Sequence, residues 1–239
     1  MRIATLPDAA EVASAAADRL GTLLDEIAQP VLGLPTGRTM LPFYAELARR
    51  HARGAIDLSG ARGFNLDELV LPRDHPATFR AFMERHAWER TGLARERCDI
   101  PDGAAEPEGE CRRYDLALAA AGGLDLAILG VGADGHVAYN LPGAPIDPTH
   151  VVELPDALAE QLEAPPAWRP LRALTLGLGA LRAARRILLL ATTADKARAV
   201  RALVEGPADP AWPCSLLRDH SALEVLLTPA AAGGSGATS

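Results

Sequence analysis

Apolar residues recur along the chain in two rhythms. Between residues 8 and 28, alanine, leucine and acidic residues follow a helical spacing that Pro30 ends. VLGL at 31–34 is a short unbroken apolar run, the mark of a strand buried on both faces. The turn-forming PTGRT follows it, and then an apolar helix that runs to about Arg50. GFNLDELV at 63–70 reads as the next strand. Phe79, Phe82, Met83 and His86, spaced three and four apart, predict a helix over about 76–91. A loop rich in Pro, Gly and acids at 101–109 leads into a helix over roughly 110–121. LDLAILGVG, from residue 124, is the clearest buried strand, and PGAPIDP at 142–148 forbids a regular helix after it. LTLGLG at 174–179 and RILLLAT at 186–192 read as further strands, the second followed by a helix over 194–205. EVLLT at 224–228 is the last strand.

Strands that alternate with helices in this way predict an α/β fold: a doubly wound, mostly parallel sheet with helices on both faces. No internal repeat and no linker interrupts the pattern. Residues 1–229 are therefore expected to form a single domain, and the small, Gly- and Ser-rich residues 230–239 a disordered tail.

Composition narrows the class of partner. Hydrophobic residues make up 49% of the chain and charged residues 23%, enough apolar material for a sizeable core. A net charge of −7 argues against a general nucleic-acid binder, which carries a basic footprint, but not against an anionic metabolite held by a few local groups. The first twenty residues lack the apolar stretch of a signal peptide, and no segment approaches the length of a membrane span. Cys98, Cys111 and Cys214 are scattered and odd in number, which suggests neither a disulfide framework nor a zinc site. A reducing cytoplasm is the expected location, with no membrane partner. Of 24 basic residues, the only lysine is Lys196, and the only asparagines are Asn65 and Asn140. That bias fits a compositionally skewed genome, and it singles out the residues kept against it.

Candidate chemistry concentrates in GVGADGHVAYN at 130–140. Gly130, Gly132 and Gly135 spell the dinucleotide fingerprint behind a strand, with Glu153 near where a ribose-binding acid would fall. A dinucleotide loop must run straight into a helix whose amides hold the pyrophosphate. Pro142, Pro145 and Pro148 leave no room for that helix. What remains is a loop at the carboxyl end of a central strand, where open α/β sheets bind ligands, carrying Asp134 and His136 together. By itself an Asp or His beside glycines is most often a turn residue. Two further segments add to it. GLPTGRT at 33–39 sets Thr36, Gly37, Arg38 and Thr39 between a strand and a helix, suited to cradling a phosphate with backbone amides. NLDEL at 65–69 brings an Asp-Glu pair to another strand end, although acidic pairs are usually solvated surface.

Taken together, GLPTGRT, FNLDEL, LGVGADGHVAYNLPG, ALTLGLGAL, TADKARAVRALVEG and AWPCSLLRDHSALEVLL resemble, in order and spacing, the glucosamine-6-phosphate deaminases. The resemblance spans roughly residues 10–229. The related 6-phosphogluconolactonases share the fold, the phosphate loop and a DGH segment, but FNLDE and GHVAYN look more like the deaminase forms. The resemblance implies conversion of an amino-sugar phosphate to fructose 6-phosphate and ammonia without a metal or other cofactor. It implies that His136 moves protons during ring opening, a task that suits imidazole near neutral pH. It further implies that Asp134 orients His136, and that Asp67 carries a proton between C2 and C1 through an enediol-type intermediate. Thr36, Gly37, Arg38 and Thr39, with Lys196, would hold the phosphate. The bland reading of Lys196 is a solvated charge on the first turn of a helix.

Two departures bear on the reaction. Family deaminases carry a glutamate directly after the Asn of GHxAxN, which helps to orient the histidine; here that position is Leu141. The family segment before ALT supplies a phosphate-binding arginine and a lid, whereas PIDPTHVVELPDALAEQLEAPPAWRP is acidic and shows no clear equivalent. Arg38 stands where relatives usually have a small residue and would replace that charge locally. Three readings therefore compete: an amino-sugar phosphate deaminase, a hydrolase of a phosphorylated sugar lactone, and a related isomerase or sugar-phosphate sensor. The sequence leaves the oligomeric state open, a homo-oligomer included.

Overall fold

The computed structural model describes residues 1–146, 148–162 and 164–234. Seven parallel strands form the main sheet: β1 (Arg2–Thr5), β2 (Val31–Leu34), β3 (Arg62–Asn65), β5 (Cys98–Asp99), β6 (Leu126–Leu129), β9 (Arg186–Ala191) and β10 (Leu223–Leu227), in the order β1-β10-β9-β6-β2-β3-β5. A second, antiparallel sheet holds β4 (Asp67–Leu69), β7 (His150–Glu153) and β8 (Arg172–Thr175), in the order β4-β8-β7. The helices are α1 (Ala9–Glu26), α2 (Leu41–His51), α3 (Phe79–His86), α4 (Pro107–Ala120), α5 (Asp156–Gln161), α6 (Leu178–Arg182) and α7 (Ala197–Val204).

Strand side chains alternate between two cores, so the sheet is covered on both faces as expected. Leu32, Leu34, Leu126, Ile128, Leu188 and Leu190 pack against α1 and α2 through Ala16, Leu20, Phe43 and Leu47. Val31, Ala127, Leu129, Ile187, Leu189 and Ala191 point the other way, against Tyr114 and Leu118 of α4, Leu181 of α6 and Leu203 of α7. Helix starts follow local chemistry. Asp8 caps α1 by accepting from the N–H groups of Ala10 and Glu11, and Thr78 caps α3 through the N–H of Ala81.

Strand order fixes where a ligand can sit. From β2 the chain steps outward to β3 and β5, then returns across the sheet to β6 on the other flank of β2. β2 and β6 are hydrogen-bonded neighbours whose connections leave in opposite directions. This is the topological switch point, and its carboxyl-end crevice is where doubly wound sheets bind ligands.

Several boundaries differ from the sequence reading, each for a tertiary reason. The expected strand 63–70 is two strands in two sheets. The Leu66 N–H still bonds the Leu34 carbonyl at 3.2 Å, but the Leu66 carbonyl accepts from Leu176 at 2.8 Å, so the chain changes sheets there. LTLGLG is strand only to Thr175; Gly177 lies against the Pro148 backbone, 2.7 Å from where a Cβ would sit, and α6 begins at Leu178. Apolar periodicity hid this because a buried helix turn and a buried strand look alike over so few residues. Around α3 the helix is shorter than 76–91, starting only where Thr78 caps it. Strands β1, β5 and β7 and helix α5 were not predicted; two of those strands lie at the edges of the main sheet and β7 at an edge of the small one, where the apolar signal is weakest. The expected tail does not begin at residue 230. Ala231 is buried and the Ala232 N–H bonds the Thr228 carbonyl at 3.0 Å, while residues 235–239 lie outside the described residues.

Candidate active site

Every sequence-predicted site residue lies at or just beyond the carboxyl end of a strand. After β2 the backbone turns at Gly37, whose φ of +99° favours glycine, and enters a 3-10 turn at Arg38–Met40 that runs into α2. The first amides of a helix have no partner within it, so this turn offers N–H groups to an anion. Thr36 and Thr39 are half-buried, and Gly37 and Arg38 are exposed to solvent. After β9, Thr193 leads a second 3-10 turn, Ala194–Lys196, into α7. Lys196 Nζ pairs with its neighbour Asp195 at 2.9 Å. β2 and β9 flank β6, two strand spacings or about 10 Å apart.

Between them, the loop after β6 is tightly folded. The Gly135 N–H bonds the Gly132 carbonyl at 3.0 Å and the Gly132 N–H bonds the His136 carbonyl at 2.8 Å. A Cβ on Gly132 would collide with the His136 ring, so only glycine lets the imidazole lie back over the loop. Gly135 has a φ of +86° and rests on Trp212 and Cys214; its carbonyl accepts from the Cys214 N–H at 2.8 Å. The AWPCS segment is thus the floor of this loop.

His136 Nδ1 and Asp134 Oδ1 are 2.6 Å apart, and the same oxygen accepts the His136 N–H at 3.2 Å. Burial works to raise the Asp134 pKa, but the bond to His136 and the attraction of its charge outweigh it, and the net shift is downward. An ionised Asp134 makes Nδ1 the donor. Nε2 is then left as the working nitrogen of the imidazole.

Asp67 opens β4 and is buried, and its carboxyl makes no hydrogen bond among the described residues. Burial, with the adjacent charge of Glu68, pushes its pKa up to about 8. Glu68 has a different task. Its carboxylate accepts from Leu69, Phe79 and Arg80 N–H groups at 2.8, 2.7 and 2.9 Å, tying the start of α3 to β4. Asp67 pairs with Thr175 across β4 and β8, and Thr175 Oγ1 accepts the Tyr139 N–H at 3.0 Å. Tyr139 in turn lies 5.9 Å, centroid to centroid, from the His136 ring. The structure therefore links Asp67 to the Asp134–His136 pair through two residues that the sequence reading did not assign. Tyr139 stood inside the quoted GHVAYN and Thr175 inside ALTLGLG, but nothing in their spacing revealed a contact made across two sheets.

Of the two asparagines, Asn140 ties the junction through its side chain and Asn65 through its backbone carbonyl. Asn140 donates to the Val137 and Leu176 carbonyls at 3.0 and 2.9 Å, and the Asn65 carbonyl accepts the Tyr114 hydroxyl at 2.6 Å. Leu141 is half-exposed. In the acidic segment that follows, Arg169 pairs with Asp156 at 3.1 Å and Glu160 at 3.6 Å, so its charge is met locally by α5.

Comparison with known proteins gives the family. Residues 7–226 match the family described as glucosamine-6-phosphate isomerases/6-phosphogluconolactonase. The chain belongs to this family. A glucosamine-6-phosphate deaminase of Beutenbergia cavernae is 41% identical over 97% of this chain and 92% of its own length. One from Shewanella loihica is 36% identical over 97% and 89%. Among solved structures, a monomeric glucosamine-6-phosphate deaminase superposes with a TM-score of 0.91 at 32% identity, covering 97% of this chain and 99% of that one. A 6-phosphogluconolactonase from Thermotoga maritima reaches a TM-score of 0.76 at 23% identity, over 95% of this chain and 98% of that one, a likeness of fold alone.

Proposed function

We propose that the protein converts glucosamine 6-phosphate and water to fructose 6-phosphate and ammonia. The observation that carries this reading is Asp67: a buried carboxyl, without a hydrogen bond among the described residues, poised near neutrality and joined through Thr175 and Tyr139 to the Asp134–His136 pair. A general base works best with a pKa near the operating pH, and removing a C2 proton requires such a base. Lactone hydrolysis needs no carbon base.

Each residue then has a step. Nε2 of His136 moves a proton between the anomeric hydroxyl and the ring oxygen, opening the sugar to its aldehyde; Asp134 holds the ring and its charge. Asp67 takes the C2 proton. The C–H pair becomes the C1=C2 bond, and the carbonyl pair moves to O1, which is protonated at the expense of the C2 ammonium. Asp67 returns its proton to C1, leaving a C2 iminium that water hydrolyses to the ketone with loss of ammonia. Thr36, Gly37, Arg38, Thr39 and Lys196 hold the phosphate, with the exposed Arg38 supplying a charge that Arg169 does not. No step above requires a metal. All of these groups come from one chain, so a monomer suffices for the reaction, as in the monomeric relative. The protein is read as acting in the cytoplasm; among the described residues no helix is long and apolar enough to cross a membrane.

Leu141 favours a second reading, hydrolysis of a phosphorylated sugar lactone, since it removes the acid that deaminases place beside the histidine. Ammonia release from glucosamine 6-phosphate, assayed beside hydrolysis of 6-phosphogluconolactone, separates the two. Lactone hydrolysis without ammonia release would overturn the deaminase reading.

A further inference from the structure

Three tyrosines stand in the chain, and two of them bury their hydroxyls on backbone carbonyls: Tyr44 on Pro35 at 2.7 Å and Tyr114 on Asn65 at 2.6 Å. That is the usual fate of a buried phenol. Tyr139 differs. Its hydroxyl bonds no group among the described residues, although the residue keeps only 9% of its surface exposed. The rest of the side chain is held firmly. Its ring stacks on Phe79 at 6.0 Å and 22° and leans on His136 at 5.9 Å. Its N–H is fixed to Thr175, the strand partner of Asp67. The preceding residue, Ala138, sits at a φ of +50°, a left-handed conformation that costs a non-glycine residue about 1 kcal/mol or more. The Val137–Asn140 pairing closes the chain around it, so the loop holds Tyr139 at the corner of a tight turn between the base and the imidazole.

Burial, followed by the charges of Asp67 and Glu68, raises the Tyr139 pKa, so this phenol stays protonated and is available as a donor at neutral pH. In the proposed deamination the atom that gains charge while Asp67 takes the C2 proton is O1. O1 is bonded to the carbon that Asp67 later protonates, and its proton has just passed through His136. Tyr139 is rooted between those two residues, by its N–H on the strand partner of Asp67 and by its ring against His136.

We propose that the Tyr139 hydroxyl donates a hydrogen bond to substrate O1 and stabilises the negative charge that develops there during proton abstraction. The phenol keeps its proton throughout. This inference rests on the deaminase reading and adds an electrostatic role to a residue that would otherwise be a packing wall.

The test is Tyr139→Phe, which keeps the ring and its contacts with Phe79 and His136. Loss of one preorganised donor to a developing oxyanion lowers the rate by about 10²-fold. The expected result is a kcat for ammonia release reduced by roughly that factor, a KM within about threefold of wild type, an unchanged melting temperature, and an unmoved acid limb of the pH–rate profile, which Asp67 sets. A variant with wild-type kcat would overturn the inference while leaving the deaminase reading standing. A lower kcat accompanied by a shifted acid limb or lost thermal stability would also overturn it, because the hydroxyl would then act through packing. Absence of ammonia release by the wild-type protein would overturn both.

Discussion

Replacing Asp67 by Asn separates what this carboxyl does for the reaction from what it does to the fold. The side chain is buried, accepts no hydrogen bond among the described residues and adjoins Glu68, so its pKa rises from 3.8 to about 8. At about 1.4 kcal/mol for each tenfold change in the ionisation equilibrium, that corresponds to a ceiling of roughly 6 kcal/mol against the ionised form. An effective dielectric near 20, rather than that of a dry interior, brings the expected figure to about 1–3 kcal/mol. The sign follows from linkage. Between pH 3.8 and about 8 the folded protein holds a proton that the unfolded chain has lost, so this group's contribution to stability falls as pH rises through that window and levels off above it. Asn cannot ionise and escapes the penalty. Asp67→Asn should therefore be more stable than wild type, by an amount that grows from pH 5 to pH 8. At about 2–4 °C per kcal/mol for a chain of this size, the melting temperature at pH 9 should rise by roughly 3–10 °C. Ammonia release should fall by about 10²–10⁴-fold, the usual loss of a general base. Thermal denaturation of both proteins at pH 5, 7 and 9 reads the first effect, and steady-state turnover the second. A stability difference that is the same at all three pH values, or a variant less stable than wild type at pH 9, would refute the argument from burial.

Lys196→Ala should raise KM for the phosphorylated sugar by about tenfold or more, the worth of a charge-assisted hydrogen bond, and leave the unphosphorylated analogue unaffected; equal effects on both would remove Lys196 from the phosphate site. Glu68→Ala strands the Leu69, Phe79 and Arg80 N–H groups and should cost roughly 3 kcal/mol or more in denaturant unfolding, whereas a loss below about 1 kcal/mol would show that water replaces the carboxylate. Leu141→Glu adds a negative charge to the loop of His136, which should speed deamination and move the histidine limb of the pH–rate profile to higher pH; unchanged deamination together with lost lactone hydrolysis would count against the deaminase reading.

The central strands were legible because burial on both faces leaves an unbroken apolar run: VLGL is β2 residue for residue, and RILLLA is β9. The alternation of strand and helix then gave the doubly wound class. The small sheet was not legible. DEL and RALT are three- and four-residue strands, and what makes them strands is each other, together with HVVE. Pairing of DEL with RALT joins residues more than 100 positions apart and leaves no local trace. The same limit applied to the site. Asp134 and His136 are two residues apart and their contact could be read from the sequence. Asp67 reaches them only through Thr175, and its raised pKa depends on burial that an Asp-Glu pair does not advertise. The glutamate beside it is not the solvated surface that an acidic pair usually is: it is buried and anchors α3.

The two departures from the deaminase pattern become easier to place once the switch point is known. Arg38 follows β2 and Lys196 follows β9, on either flank of β6. Neighbouring strands are about 4.8 Å apart, so in the proposed function a phosphate drawn to both cations would lie over the carboxyl end of β6, at Gly130 and Gly132. Neither residue has a side chain to obstruct it, and Gly132 is already required by the His136 ring. In the proposed function the sugar would extend from there toward Asp67 at the start of β4, on the side of Tyr139 and His136. Recognition and chemistry are thus carried by elements rooted in the two sheets. The segment that lacks the family's arginine reaches the small sheet through β7, where His150 pairs with Thr175, and its Arg169 is engaged by α5. Loss of the lid charge weakens a contact that Arg38 can supply from the phosphate loop itself. Loss of the glutamate at Leu141 is the heavier change, because it leaves Asp134 as the one carboxylate hydrogen-bonded to the imidazole among the described residues.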